Sequence, residues 1–356
     1  MNKDTVRGPL TGVKVLDLSR LIAGPFCGQM LGDYGADVIK VEPPDGDRSR
    51  AIGGRLFSGF NRNKRSISLD LAAAEGQAVL LRLLDDTDVL VNNFKPGTLE
   101  KWGLGFDTLH ARFPRLIMAS VTGFGATGPL GGLPGTDGAV SAWAGLLSTN
   151  GDERTGPMRF GVPIVDLSTG LHGMVGVVLA LYERERSGLG QHVDVALYDC
   201  AMALTQPASS NWLEAGAQNP RSGNHNPNAA PFGMFRTGDG IINIGASTNR
   251  SFIALCDEVG RPDLATDPRF ALERERVANR EVLTRELEAA FASRECRELA
   301  IALVKRDVVA GPVIELKDAL AHPHTAHRQV AVAMDGYGGT GVPVKRLQGD
   351  ETTRLL

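Results

Sequence analysis

The sequence predicts an α/β protein: a doubly wound parallel sheet followed by a second, smaller α/β domain. Three observations predict this. Short β-branched and aliphatic runs alternate with helix-like segments to about residue 200, the pattern of βαβ units in a parallel sheet. Gly- and Pro-bearing loops follow several of those runs, where an open parallel sheet binds its ligands. A stretch rich in Asn, Pro, Ser and Gly, Gln206 to Pro231, then separates off a further set of elements.

Taken in order, Val13 to Leu18 reads as the first strand, followed by a Gly-Pro turn at Gly24-Pro25 and a helix to about Tyr34. Asp37 to Glu42 is the second strand and completes a βαβ unit. Asp70 is placed to cap a helix whose Val79, Leu80, Leu83 and Leu84 share one face. Val89-Leu90-Val91, Leu116 to Val121 and His192 to Leu197 read as further strands. A second apolar block reads as extended over Val162 to Val165 and helical from near Leu167 to Tyr182. Beyond the polar stretch, Gly240 to Gly245 reads as a strand and the charged segments at 270–305 as exposed helices. The expected domains are 1–205, a linker over 206–231, a small domain over 232–325, and a return segment over 326–356.

Composition narrows the class. A chain of 356 residues exceeds what one core usually organises. With 42% hydrophobic and 22% charged residues it reads as an ordinary globular protein. Lys and Arg total 38 against 41 Asp and Glu, so no global basic field recruits nucleic acid. There is room for a local basic patch facing a small polyanion. Cys27, Cys200, Cys256 and Cys296 form no CxxC pair, which argues against a zinc site or disulfide framework and suits a reducing cytoplasm. The start, MNKDTVRGPLTG, lacks an apolar signal region, and Gly170 to Tyr182 is too short to span a bilayer. A cytoplasmic protein without membrane association is expected.

Glu42, ending the second strand, invites a dinucleotide reading. The turn reads Ala23-Gly24-Pro25-Phe26-Cys27-Gly28 rather than GxGxxG, and Pro25 removes an amide donor, so that reading is weak. No Walker A, HExxH or GxSxG sequence occurs, and the histidines have no metal-ligand spacing. Three Gly-rich loops are expected beyond the strand ends: Gly24-Pro25, Asn92 to Gly97, and Thr122 to Pro129. They are either a ligand surface or plain tight turns. Arg62, Lys64 and Arg65 are either a phosphate-facing cluster or a solvated face. Asp166, between the extended run and the apolar helix, reads as a helix N-cap, a role compatible with that of a nucleophile held ionised by the helix dipole. His172 reads as structural.

Over nearly its whole length the chain resembles the family III CoA-transferases, relatives of the α-methylacyl-CoA racemases. The stretches that carry the resemblance include GPLTGVKVLDLSRLIAGPFCGQMLGDYGADVIKVEPPDGD, NRNKRSISLDL, DVLVNNFKPGTLEKWGLG, ASVTGFGATGP, GVPIVDLSTGLHG and GLGQHVDVALYD, with APFGMFRTGDGIINIG and VVAGPVIELKDALAHP later. The resemblance is to the formyl-CoA transferase and carnitine CoA-transferase type. It implies a Rossmann-like large domain and an interlocked homodimer in which each subunit threads the ring of the other. It places the nucleophile on Asp166. CoA contacts fall on Ile22, Ala23, Leu69, Ala72, Asn93, Phe94, Lys95, Lys101, Thr136 and Asp137. Some members carry a basic residue where this chain has Ala72, so that contact is either missing or supplied by Lys64 or Arg65. The family also continues further past the segment around Gly341 to Lys345, so the return segment is expected to be short.

The resemblance implies no tightly bound cofactor and no metal, with acyl-CoA and a small free carboxylic acid as substrates. CoA would move from a donor such as succinyl-CoA through an aspartyl anhydride and an aspartyl-CoA thioester. Gly245-Ala246-Ser247 is one candidate for oxyanion donors. The nearest alternative is a 2-methylacyl-CoA racemase, whose second acid/base group is a His in the racemases; that position falls on Thr136 here, which is no base near neutral pH. A non-catalytic acyl-CoA-binding protein is the alternative from another class.

Overall fold

A computed structural model gives the fold of residues 8–53, 55–334 and 337–344, the described residues. The readings of residues 1–7 and of the segment beyond 344 lie outside them. In chain order the elements begin β1 (Lys14–Asp17), α1 (Ala23–Asp33), β2 (Asp37–Glu42), α2 (Leu56–Asn61), β3 (Lys64–Ser68) and α3 (Ala74–Leu84). Next come β4 (Val89–Asn92), α4 (Thr98–Lys101), α5 (Phe106–Arg112), β5 (Ile117–Thr122) and α6 (Asp137–Trp143). A short hairpin, β6 (Gly151–Asp152) and β7 (Gly156–Pro157), precedes α7 (Ile164–Ser187), β8 (His192–Ala196) and α8 (Leu197–Ala203).

The chain divides into two compact units. One holds the chain up to Leu147, Arg159–Gln206 and the segment from Pro323; the other holds Ser148–Met158 and Pro207–His322. The polar stretch after Gln206 carries a helix, α9 (Ala208–Ala215), and belongs to the second unit, as does the β6–β7 hairpin.

In the first unit, six parallel strands lie in the order β3-β2-β1-β4-β5-β8. Both faces are covered, so alternate residues of each strand enter different cores. Val15, Val89, Val91, Ile117 and Ala119 join Leu31 of α1 and Val177 and Ala180 of α7. Leu16, Leu90 and Met118 join Leu80 and Leu84 of α3 and Leu109 of α5. The period-2 signal of β3 is weak because it is an edge strand of mixed polarity, KRSIS, and no strand is legible there from sequence.

Three local expectations change. Gly24 and Pro25 are in the first turn of α1, not a turn before it; Pro is tolerated there because that amide has no helical partner. Asp70 does not cap α3, whose N-cap is Ala73; the Asp70 carboxylate instead accepts the Ala72 amide at 3.0 Å. The block ending at Tyr182 belongs to a 24-residue helix starting at Ile164, which by length and composition alone could cross a bilayer. One face of α7 is core. Its Gly170 has the Ala23 carbonyl oxygen 2.6 Å from where a Cβ would stand, so only glycine allows α1 this close. The other face leaves Leu171, Val175, Val178, Leu179 and Tyr182 exposed.

A buried charge cluster sits under the carboxyl end of β1. Lys64 Nζ contacts Asp17 Oδ2 at 2.7 Å and also donates to the Pro25 and Phe60 carbonyls and Asn61 Oδ1. Lys40 Nζ donates to the Ser19 carbonyl and lies 3.1 Å from Asp47 Oδ2. Burial pulls the Lys64 ammonium down to about 8 against the opposing pull of Asp17. Burial alone would raise the Asp17 carboxyl, but Lys64 and Lys40 outweigh it and hold the group below its usual value. After β8 and α8 the chain returns to this unit with a hairpin. Its strands, Ala331–Met334 and Tyr337–Thr340, are tied to Arg62, whose guanidinium donates to Tyr337 Oη and the Thr340 carbonyl.

The second unit is a three-stranded antiparallel sheet, β11-β10-β9, from β9 (Phe232–Arg236), β10 (Ile241–Gly245) and β11 (Val309–Pro312). Phe235, Ile242 and Ile244 pack with Phe252, Leu255, Leu283, Leu287, Phe291 and Leu299 from the helices between the second and third strands. Arg276 is fully buried there, with no carboxylate partner among the described residues. Its guanidinium donates to the Ala230, Phe270 and Ser247 carbonyls and Asn249 Oδ1, and lies over the Phe252 ring.

Removing one half of a buried pair strands the other charge. Lys64→Ala should therefore cost about 3–5 kcal/mol in urea denaturation, and a Lys64→Met/Asp17→Leu double variant should recover most of that. A loss below about 1 kcal/mol in the single variant would mean that Asp17 finds water instead.

Candidate active site

The loops that leave the sheet at the carboxyl ends of its strands bring most of the expected residues to one edge. Ile22 is the N-cap of α1 and Ala23 its first residue. Asn93, Phe94 and Lys95 leave β4, and Leu69 follows β3, its amide bonded to the Glu42 carbonyl at 2.9 Å. Thr136 and Asp137 open α6, and Asp166 stands in the first turn of α7. Close approaches join them. A Cβ on Gly24 would stand 3.5 Å from Asn93 Cβ, and Gly170 of α7 abuts Ala23. Lys101 lies further out, at the end of α4, and is exposed. Ala72 is exposed and carries no polar group, so this position offers a ligand only its backbone.

The structure bears on the capping reading of Asp166. It does not cap the helix: Pro163 is the N-cap, and α7 begins before Asp166 rather than after it. The capping carboxylate is Asp137, whose Oδ2 accepts the amides of Val165 at 2.8 Å and Asp166 at 3.3 Å. This explains why a run that reads as extended is already helical at Ile164: an acceptor from another element satisfies the first-turn amides. The Asp166 carboxylate is left out of that cap. Burial, with the nearby Asp137 charge, pushes it up to about 7. The helix dipole therefore does not hold it ionised, as expected from sequence; desolvation and a like charge win.

Other readings are settled by partners already in place. Glu42 is not a free acid for a ribose. Arg50 grips it with two bonds of 2.7 Å, and Ser66 and the Asp47 amide occupy the remaining lone pairs. These contacts hold its carboxyl down at about 2, against the effect of burial. The Arg62, Lys64 and Arg65 cluster does not face a ligand: the three pair with Asp33, Asp17 and Asp37 respectively. Neither Lys64, buried under β1, nor Arg65, bound at the opposite end of β2, can supply the contact that Ala72 lacks. His172 Nδ1 lies 2.8 Å from the Ser168 carbonyl on its own helix, in keeping with a structural role. In the second unit, the Ala246 amide is spent on the Pro231 carbonyl at 2.9 Å, which removes it as an oxyanion donor.

Sequence reasoning missed two cations. Arg20 stands in the loop after β1, with its guanidinium over the Phe94 ring at 5.3 Å. Arg159 lies beside α6, its Nε 3.7 Å from where a Cβ on Gly138 would be. No periodicity or motif singles out either residue. Among the described residues no cluster of His, Cys, Asp and Glu fits a metal ion.

Comparison with known proteins agrees with this geometry. Residues 10–352 match the family model for CoA-transferase family III. The chain is 39% identical over 335 residues to a succinyl-CoA–D-citramalate CoA-transferase of Chloroflexus aurantiacus, covering 92% of this chain and 83% of that one. It is 36% identical over 349 residues to a succinate–glutarate CoA-transferase of Agrobacterium fabrum, covering 94% and 87%. The crystal structure of a CaiB/BaiF family protein from Brucella suis superposes with a TM-score of 0.89 at 37% identity, over 97% of this chain and 94% of that one. With its parallel sheet, the loops at its carboxyl edge and these relatives, the chain belongs to the family III CoA-transferases.

Proposed function

We propose that this enzyme moves CoA from succinyl-CoA or a similar acyl-CoA to a free dicarboxylic acid, with Asp166 as the covalent nucleophile. A carboxylate oxygen of Asp166 attacks the thioester carbonyl, the C–S bond breaks, and CoA leaves as thiolate with the electron pair. The thiolate then attacks the Asp166 carbonyl of the mixed anhydride, releasing the donor acid as carboxylate. The acceptor carboxylate repeats the exchange on the aspartyl-CoA thioester. The returning thiolate finally takes the acceptor acyl group and restores the Asp166 carboxylate. No proton or water is consumed, so the site gains by being dry.

The observation that carries this reading is the division of labour between the two carboxylates. Asp137 does the capping, which leaves the Asp166 carboxylate, in the first turn of α7, without a hydrogen-bond partner among the described residues. Ile22, Ala23, Asn93, Phe94, Lys95 and the Thr136–Asp137 turn are the groups we assign to the CoA chain around it, with Leu69, the Ala72 backbone and Lys101 further out. A dicarboxylate acceptor is supported by the relatives, named for citramalate and glutarate, and by Arg159 beside α6, which has no carboxylate partner among the described residues. We also assign a homodimer. The exposed apolar stripe of α7, with Leu179 and Tyr182 both 62% accessible, suits burial against a second copy. The four cysteines are free and buried, which suits the cytoplasm.

The test is incubation with succinyl-CoA and a panel of mono- and dicarboxylic acids in D2O, with CoA esters read by mass spectrometry, alongside a 2-methylacyl-CoA. The expected result is a new dicarboxylyl-CoA, absent with Asp166→Ala, and no α-deuterium. Deuterium in the 2-methylacyl ester without CoA exchange would assign the site to racemisation instead. Binding without either reaction, unchanged by Asp166→Ala, would make this an acyl-CoA-binding protein.

The pH dependence follows from the raised carboxyl. Only ionised Asp166 attacks, so kcat/KM should climb with pH and level off above a midpoint near about 7. Asp137→Asn keeps an acceptor for the Val165 amide but removes the negative charge, so the midpoint should fall by roughly one pH unit. An unmoved midpoint would free Asp166 from Asp137's influence. Leu179→Glu should shift the protein from dimer to monomer in light scattering; an unchanged mass would place the interface elsewhere.

A further inference from the structure

We propose that Arg20 binds a phosphate of the CoA thioester. The proposal rests on acyl-CoA being the substrate. Its location is set by topology. From β1 the chain winds through β2 to β3 on one side of the sheet, whereas β4, β5 and β8 lie on the other. The sheet therefore reverses its winding between β1 and β4, and the crevice beyond their carboxyl ends is where such sheets take ligands. Arg20 is in the loop leaving β1, and Asn93 and Phe94 are in the loop leaving β4.

The two loops are locked together. The Arg20 amide donates to Asn93 Oδ1 at 2.8 Å, and Asn93 Nδ2 donates to the Arg20 carbonyl at 2.7 Å. On one side of Arg20, the Ser19 carbonyl is held by Lys40 and its amide by Asp17. On the other, Leu21 adopts a left-handed backbone (φ 69°), a conformation that L residues keep only where the surroundings impose it. The imposing groups are Asn93 and the buried Asp47, whose Oδ1 is 3.5 Å from the Leu21 amide. The backbone of Arg20 is thus fixed before any ligand arrives. Its guanidinium lies over the Phe94 ring.

Arg20 is also uncommitted. Arg62, Lys64 and Arg65 each have a carboxylate partner, and among the described residues Arg20 has none. A planar guanidinium with one face on an aromatic ring still presents its N–H edge, the geometry that grips a phosphate with two parallel bonds. Because the anchoring bonds use the Arg20 backbone, replacing its side chain leaves the loop lock intact.

The test is calorimetric titration of CoA, 3′-dephospho-CoA and pantetheine, which has no phosphate, into the full-length wild type, Arg20→Gln and Arg20→Lys. KM and kcat for succinyl-CoA are measured alongside. Arg20→Gln should weaken CoA binding about 10- to 100-fold, leave pantetheine binding within about twofold, raise KM for succinyl-CoA by a larger factor than it lowers kcat, and flatten the salt dependence of CoA binding. Arg20→Lys should recover part of the loss. If the penalty vanishes with 3′-dephospho-CoA, the partner is the 3′-phosphate; if it persists, it is the diphosphate. CoA binding within about twofold of wild type, or an equal loss for pantetheine, would overturn the assignment. A wild type that binds CoA without transferring it would sink the transferase mechanism but still read out Arg20; one that does not bind CoA would sink both.

Discussion

The charges buried under the carboxyl end of β1 are the constraint on which the first unit's site depends. Lys64 and Asp17 sit in contact beneath the first turn of α1, and Lys40 reaches from β2 to the carbonyl of Ser19 and to Asp47. Burying four ionisable groups is costly, and apolar residues of like volume would often do as well for stability. What apolar residues cannot do is donate to carbonyls. Lys64 holds Pro25 and Phe60, Lys40 holds Ser19, and Asp17 and Asp47 accept the amides of Ser19 and Ser49. The cluster therefore specifies the path of the chain between β1 and α1, which a purely apolar core would leave free.

That path matters because the candidate site is made of strand-end loops. Rigid loops lose little freedom when they bind a long, flexible ligand such as a CoA thioester, so more of the contact energy is kept. Here rigidity comes from reciprocal bonds, as in the Arg20–Asn93 lock, and from glycines that admit close approach, as at Gly170. The second unit uses a related device. Buried Arg276 gathers the carbonyls of Ala230, Ser247 and Phe270, so one side chain sets the conformation of three segments distant in sequence.

Asp137 and Asp166 illustrate how two like residues diverge. Both stand in the first turn of a helix of this unit. Asp137 reaches across to the amides of α7 and is satisfied there. Among the described residues none donates such a bond to the Asp166 carboxylate, and burial together with its neighbour's charge holds its proton up to about 7.

The sequence by itself determined the alternation of helices with the inner strands of the parallel unit, because both-face burial writes uninterrupted aliphatic runs such as Val89 to Val91. It also singled out Asp166 and the loop at Asn93, through motifs that run in order along the chain. It could not reveal β3, whose polar edge-strand residues carry no clear period, nor the true start of α7, since the acceptor for its first amides is Asp137, 28 residues away. Nor could it tell which of its cations are free. Arg20, Arg62, Lys64 and Arg65 look alike along the chain, and only tertiary contacts pair three of them with Asp33, Asp17 and Asp37. Charge pairing and desolvation act through space, between residues that nothing local connects, so the ionisation of Asp166 and the availability of Arg20 were decided by the fold alone.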